Sequence, residues 1–203
     1  MQQIRIHGRG GQGVVTAAEL IAIAAFKEGK IAQAFPSFGV ERTGAPIEAF
    51  ARIDDEKIRL REQVNNPNVL IIQDSTLIGN VDLLRGAKED TIVIVNTSKK
   101  EKTVPLTKGK GGIIPEENIY TVDATKIALK ILGKNIVNTT ILGAFAKATH
   151  LVSLDSLKEA IEEKFKEKGA DLIKKNIKAV EEAYKFEDLR LNIKKLALQK
   201  HEN

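Results

Sequence analysis

The sequence predicts an α/β protein: a three-layer α/β/α sandwich on a mostly parallel sheet, with an antiparallel hairpin added and extra helices at the C-terminus. Three observations carry this. Short unbroken apolar runs recur at Val69–Ile72, residues 91–95 and Ile119–Val122, each closing on polar residues: Gln73-Asp74-Ser75, Asn96-Thr97 and Asp123-Ala124-Thr125. Runs of this kind suit strands buried on both faces. Stretches with apolar residues at helical spacing separate or follow them. The chain has 203 residues, 42% of them hydrophobic, which is enough for one good core.

Taken in order, residues 3–7 form a first strand and the glycines between Gly8 and Gly13 a tight loop after it. Val14–Lys27 is a helix. Ala17, Leu20, Ile21, Ala24 and Ala25 share its buried face, and Gly29 stands where a helix-ending glycine belongs. Residues 31–35 make a second strand and 36–46 a loop bounded by Pro36 and Pro46. Residues 47–53 are expected to turn at Asp54-Asp55 and return through 57–60, forming the hairpin. Further helices are expected around 81–85, 125–132, 140–148, 154–166 and 172–185, with Ser156 and Glu159 spaced like a capping box. The lysine-rich break at 97–117 is a surface loop or a basic binding loop. Beyond Phe186, the residues Leu189, Ile193, Leu196 and Ala197 fall on one stripe of a further helix. The expected organisation is a domain over residues 1–185 and a helical tail over 186–203.

Composition closes several routes. There is no cysteine, so this chain carries no disulfide, thiolate nucleophile or cysteine-ligated cluster. With His7, His150 and His201 the only histidines, no multi-histidine metal site is expected. The opening Met-Gln-Gln-Ile-Arg-Ile-His lacks the layout of a secretion signal. No window approaches the ~18 apolar residues of a membrane span. A soluble, cytoplasmic protein is expected. The net charge is +5, but acids are interspersed with the bases and aromatics make up only 4%, so no nucleic-acid partner is expected.

The loop Gly8-Arg9-Gly10-Gly11-Gln12-Gly13 matches G-x-G-x-x-G between a strand and a helix. Glycines permit a tight turn and close approach, and a helix N-terminus offers unpaired N–H groups to an anion. Two readings stay open: an anion site to which Arg9 adds charge, or a turn that packs the helix closely and binds nothing. An NAD site expects a ribose-holding Asp or Glu about 20 residues on. Here the second strand ends Ala34-Phe35-Pro36-Ser37 and the next acid is Glu41.

Three segments in order resemble one family. The glycine loop with its Ala-rich helix, the stretch Ala34-Phe35-Pro36-Ser37-Phe38-Gly39-Val40-Glu41-Arg42-Thr43-Gly44-Ala45-Pro46, and the pair Val122-Asp123-Ala124-Thr125 and Asn138-Thr139-Thr140-Ile141-Leu142-Gly143-Ala144 are similar to the gamma subunits of pyruvate and branched-chain 2-oxoacid:ferredoxin oxidoreductases. The same unit is an internal domain of the single-chain enzymes. The resemblance implies one part of a complex that decarboxylates a 2-oxoacid on thiamine diphosphate with magnesium. Electrons pass through iron–sulfur clusters to ferredoxin, and coenzyme A collects the acyl group, reversibly. It implies partner subunits of alpha, beta and delta type, no cofactor on this chain and no activity in isolation. Gly8, Arg9, Gly10, Gly11, Gln12, Gly13, Glu41, Arg42 and Asn138 are the candidate residues for coenzyme A or a subunit interface. No catalytic or metal-ligating residue is assigned. Asn138 is also placed to cap the helix after it, and Asp74 and Asp123 to cap theirs. Lys99, Lys100, Lys102, Lys108 and Lys110 offer charge to coenzyme A phosphates, or a solvated loop. The alternative is a stand-alone NAD(P)-dependent oxidoreductase.

Overall fold

The computed structural model describes residues 1–37, 43–99, 104–107 and 112–185. Their strands are β1 (Gln2–Arg9), β2 (Ile31–Pro36), β3 (Pro46–Asp54), β4 (Val69–Ile72), β5 (Ile92–Asn96) and β6 (Ile119–Val122). Their helices are α1 (Val14–Lys27), α2 (Ala124–Leu132), α3 (Ile141–Thr149), α4 (Leu154–Lys164) and α5 (Ala170–Tyr184). The strands form one mixed sheet in the order β2-β3-β1-β4-β5-β6. β1, β4, β5 and β6 run parallel, while β3 is antiparallel to both β1 and β2. The α/β class and the mostly parallel sheet are as the sequence predicts.

The hairpin has a different partner from the expected one. β3 pairs with β2, from Ile31 opposite Asp54 to Pro36 opposite Ala49, and residues 57–60 are not a strand. The 57–60 sequence, Lys-Ile-Arg-Leu, alternates acceptably, but β1 already occupies the other edge of β3 along its whole length.

One face of the sheet packs on helices. Ile4, Ile6, Ala49, Ala51, Ile71, Ile94 and Val122 meet Ala17, Leu20, Ile21 and Ala24 of α1 and Leu142 and Phe145 of α3 in the main core. The third layer, on the opposite face, is built from turns rather than α-helix. Leu70, Ile72, Val93, Val95 and Ile119 pack under Leu77, Leu83, Val104, Leu106 and Ile114. Residues 81–85, expected as a helix, are turns here: between Gly79 and Gly86, both at positive φ, the segment is too short to propagate one.

Below β1 and β3 that second face is polar. Arg5 and Arg52 are fully buried. Arg5 donates to the carbonyls of Val64 at 3.3 Å, Leu83 at 3.0 Å and Arg85 at 2.7 Å. Arg52 donates to the carbonyls of Glu62 at 2.6 Å and Gln63 at 3.3 Å, and lies 5.1 Å from the Phe35 ring centroid. Arg5 Nε also donates to His7 Nε2 at 3.1 Å. An arginine Nε is always a donor, so His7 Nε2 must be its acceptor and the imidazole neutral, with Nδ1–H facing Glu48 Oε1 at 3.6 Å. Burial first, then the charges of Arg5 and Arg85, push its pKa down to about 3.

Helix ends are held by specific contacts. Ser153, not Ser156, caps α4, accepting from Ser156 N–H at 3.0 Å. The Ser156 hydroxyl donates instead to Glu28 Oε1 at 2.7 Å, which also accepts from Ser153 N–H at 2.6 Å. The end of α1 is thereby tied to the start of α4. α3 and α5 touch at Gly143, where a Cβ would overlap the Val180 carbonyl oxygen.

Two outcomes follow. Gly143→Ala, which forces α5 away from α3, is expected to lower stability by about 1–3 kcal/mol in urea denaturation; an unchanged midpoint would refute the close approach. The depressed His7 pKa means the unfolded chain binds a proton that the folded one refuses. Stability is therefore complete above pH 6.5 and declines as pH falls toward 3, by up to about 1.4 kcal/mol per unit from this group. Between pH 6.5 and 5, above most carboxylate titration, His7→Gln is expected to flatten that slope while keeping an acceptor for Arg5.

Candidate functional site

The parallel strands end together, and the chain leaves them on opposite faces. β1 runs into α1 on the helical face, whereas β4 runs into the turn at Ser75–Leu77 on the other. A crevice at the carboxyl ends of the strands is what such a reversal produces. It is present: a cleft of about 510 Å³ lined by Gln12, Gln73, Asp74, Asn96, Thr125, Asn135 and neighbouring residues, including Lys99 and Asp123.

The glycine loop forms one wall. Gly13 begins α1 at φ 72°, in the left-handed region open to glycine, and no side chain caps the first turn. A Cβ on Gly13 would run into the Asn138 side chain, and one on Gly8 would lie 2.6 Å from Val14 Cγ2. Both positions therefore need glycine for close packing. Asn138 does not cap α3. Its Oδ1 accepts from the adjacent Thr139 N–H at 2.9 Å, and Thr140 takes the N-cap position. The buried Asn138 side chain seats against Gly13 instead.

Asp74 draws the parts together. Its Oδ2 accepts from Arg9 Nε at 3.1 Å and Gln12 Nε2 at 3.0 Å, and its Oδ1 accepts from Thr76 N–H at 3.0 Å. Burial pushes its carboxyl up, but the hydrogen bonds from Thr76 and Gln12, with Arg9 beside it, more than offset that and hold it below the usual range. Arg9 reaches on to the Gly44 carbonyl at 3.0 Å and Thr76 Oγ1 at 2.9 Å. Gly10 N–H donates to the Ala45 carbonyl at 2.9 Å, and Gly44 N–H to the Gly10 carbonyl at 3.1 Å.

Gly8, Arg9, Gly10, Gly11, Gln12 and Gly13 thus lie beside the end of the second motif, Thr43 to Pro46, with Asn138 behind them. Glu41 and Arg42, and the lysines Lys100, Lys102, Lys108 and Lys110, lie outside the described residues. Asp123 caps α2, accepting from Lys126 N–H at 2.9 Å, as its position in the sequence suggests.

Sequence reasoning missed the amides. Asn96 donates to the Gln73 carbonyl at 2.8 Å and to Thr125 Oγ1 at 2.9 Å, stitching β4, β5 and α2. Gln73 is 1% exposed, and neither atom of its carboxamide has a hydrogen-bonding partner among the described residues. A polar residue directly after each apolar run was the available signal. Among the described residues, no group of three or more His, Asp or Glu side chains is placed to hold a metal.

The NAD(P) alternative fails on topology. β3 lies between β1 and β2, so the end of β2 is displaced by one strand from the glycine loop, and it carries Phe35 and Pro36 rather than a carboxylate.

Comparison with known proteins agrees. The model of the family described as pyruvate ferredoxin/flavodoxin oxidoreductase matches residues 3–186. The pyruvate/ketoisovalerate oxidoreductases common subunit gamma of Thermococcus kodakarensis is 56% identical over 185 residues, covering 91% of this chain and 96% of that one. The pyruvate synthase subunit PorC of Methanosarcina barkeri is 52% identical over 79% of this chain and 85% of its own. The crystal structure of the pyruvate oxidoreductase subunit PORC of Thermotoga maritima superposes with a TM-score of 0.76 at 38% identity, covering 90% of this chain and 94% of that one. The chain belongs to the pyruvate ferredoxin/flavodoxin oxidoreductase family.

Proposed function

We propose that this chain is the gamma subunit of a multi-subunit 2-oxoacid:ferredoxin oxidoreductase that interconverts pyruvate and coenzyme A with acetyl-CoA, carbon dioxide and electrons passed to ferredoxin. The observation that carries the reading is the meeting of Gly8 to Gly13, Thr43 to Pro46 and Asn138 at one end of the sheet, in a chain matched at 56% identity by a common gamma subunit. Its partners are subunits of alpha, beta and delta type, which carry thiamine diphosphate, magnesium and the iron–sulfur clusters. Residues 1–185 form the family domain; residues 186–203, expected from the sequence as a helical tail, lie outside the described residues. No described helix is long and apolar enough to cross a membrane, and a cytoplasmic complex is part of the proposal.

Coenzyme A supplies the thiol that takes the acyl group. The residues proposed to meet it, or the neighbouring subunit that shapes its approach, are the glycine loop, Glu41, Arg42 and Asn138. Arg9 suits that role. Its side chain is about one-third exposed, at 31%, and the hydrogen bonds to Asp74, Gly44 and Thr76 fix its direction while using three of its five N–H donors. The uncapped first turn of α1 beside it adds N–H groups directed at the same end.

Tagged chain captured from its native cell under anaerobic conditions is expected to bring down thiamine- and cluster-bearing subunits. The eluate is expected to reduce ferredoxin with pyruvate or 2-oxoisovalerate in the presence of coenzyme A, and the rate ratio names the substrate. A chain that emerges alone with bound nucleotide would sink the reading. In the assembled enzyme, Arg9→Met is expected to raise the coenzyme A Michaelis constant about tenfold with kcat within twofold, the pattern of a lost binding contact. An unchanged constant removes Arg9 from the site.

A further inference from the structure

The outer edge of the sheet is open. β2 ends the sheet, and its partner strand among the described residues is β3 alone. Ser37 N–H donates to the Glu48 carbonyl at 2.9 Å, which makes that pair a hydrogen-bonded one and fixes the alternation along the ladder. Ile31, Gln33 and Phe35 therefore turn their backbone groups toward β3. Ala32 and Ala34 turn theirs outward, N–H and C=O alike, and Pro36 its carbonyl. Among the described residues nothing pairs with these outward groups. Native sheets blunt such an edge with charge, a bulge or a covering segment. The sequence of β2, Ile-Ala-Gln-Ala-Phe-Pro, has no charged residue, and its register to β3 runs without a bulge from Ile31 to Pro36. A proline closes only its last position.

The two sides of this edge differ. On the second face the segment 57–63 runs beneath β2 in the same direction. Gln33 Nε2 donates to the Ile58 carbonyl at 3.3 Å and Gln63 Nε2 to Ser37 Oγ at 3.1 Å, so the segment follows the strand along its length. Ile58 is buried, while Lys57, Arg59 and Arg61 alternate around it and are exposed. Among the described residues none of these three cations has an ion-pair partner. The neighbouring acids are placed otherwise. Asp54 takes the N-terminal ammonium at 3.5 Å, Asp55 and Glu56 precede the segment, and Glu62 acts on Arg52. On the helical face the edge is apolar: Ala32 and Ala34 pack against the main core, and Phe26, at the end of α1 just before β2, is 72% exposed. Successive side chains of an added strand point to opposite faces, so one set meets three unpaired cations and the other an exposed ring. A second copy of this chain is a poor occupant. An antiparallel β2–β2 pairing about a two-fold axis brings two cationic rows together on one face of the joined sheet, and the net charge of +5 adds to the repulsion.

We propose that the β2 edge is a docking site for an extended acidic segment of a neighbouring subunit of the assembly, which adds a strand to the sheet. Its backbone meets the outward groups of Ala32, Ala34 and Pro36. Its acidic side chains lie over Lys57, Arg59 and Arg61, and its apolar ones on the side of Phe26. The inference rests on the proposed function for the existence of that subunit. The glycine loop and the cleft take no part in it.

The test compares the isolated full chain with the anaerobically captured assembly by amide hydrogen exchange. The amides of Ala32 and Ala34 are expected to exchange at least about tenfold more slowly in the assembly, while those of Gln33 and Phe35, already bonded to β3, change less. Ala34→Pro removes an outward donor and obstructs an added strand while sparing the hydrogen bonds to β3, since that N–H faces away. It is expected to keep the Tm of the isolated chain and to weaken binding to the remaining subunits about tenfold or more. Arg59→Glu together with Arg61→Glu, both on the surface, leaves the backbone edge intact and is expected to weaken that binding by about as much, an effect that fades as salt is raised. The exchange comparison and the charge variant decide whether or not Ala34→Pro folds. Equal exchange at Ala32 and Ala34 in an assembly that reduces ferredoxin overturns this inference alone and leaves the subunit reading standing. Charge-reversed chain that binds its partners as the parent does overturns the acidic occupant. An isolated chain that sediments as a dimer, and that Ala34→Pro returns to monomer, gives the edge to a second copy and overturns the proposal as well. A chain that captures no subunits sinks the subunit reading and this inference with it.

Discussion

The β1–β3 ladder is the constraint on which the rest depends. Residues Gln2 to Arg9 pair antiparallel with Ile53 to Pro46 without a break. The last pair, Arg9 opposite Pro46, delivers the chain before β3 alongside Gly10, and so joins two loops more than thirty residues apart. The same insertion moves β2 out to the edge of the sheet. A glycine loop of Rossmann appearance is left with no second strand beside it to carry a ribose carboxylate. Loop and ladder together turn a nucleotide-binding outline into a different site. The sequence motif is shared, but the strand that enters next to it decides its use.

The ladder also sets the chemistry of the second sheet face. Strand alternation sends Ile4 and Ile6 toward the helices, and Arg5 and His7 the other way. Across the ladder, Phe50 faces Arg5, Glu48 faces His7 and Arg52 faces Gln3. Among the described residues, no helix covers this region. Two guanidiniums gather the backbone carbonyls of Val64, Leu83, Arg85, Glu62 and Gln63 instead. Burial lowers the pKa of both arginines, but a guanidinium keeps its charge in proteins, and a fork of donors can saturate several carbonyls that irregular chain leaves unpaired. Irregular segments can form a layer here because charged side chains take the place of helix hydrogen bonds. The neutral imidazole of His7 is a consequence, since an arginine already donates to it.

What the sequence disclosed, and what it hid, follow the range of the interactions involved. α1 runs from Val14 to Lys27 as read, because its periodicity, entry glycine and exit glycine are all local. β4 and β6 were legible because a short β-branched run admits few alternatives. The partner of β3 was not, since pairing is settled by which edge is free, and residues 57–60 alternate as well as β2 does. The cap of α4 was misread by three residues because Ser153 and Ser156 are both local candidates, and only Glu28, from 125 residues away, shows the use of each hydroxyl. At the site, the glycines and Asn138 were visible as a pattern. Their common reason, that Asn138 fills the space a Gly13 side chain would take, is a contact across 125 residues that no spacing rule reaches.

The ionic state of this end of the sheet indicates what kind of work it does. A group that exchanges protons at neutral pH needs a pKa near 7. Burial and the charges of Arg5 and Arg85 push the pKa of His7 down to about 3. Asp74 is pinned in its charged form by Thr76, Gln12 and Arg9. Each is fixed in one protonation state by the contacts that give the site its shape. Around the cleft, apart from Lys99, Asp123 and Val137, the remaining lining is amide and hydroxyl, groups suited to hydrogen bonding. The site is organised for holding and orienting. The Arg9–Asp74 pair then has a clear physical value: with the contacts of Arg9 to Gly44 and Thr76 it fixes a cation beside the glycine loop, and a side chain already ordered costs less to hold in place when a neighbour is bound.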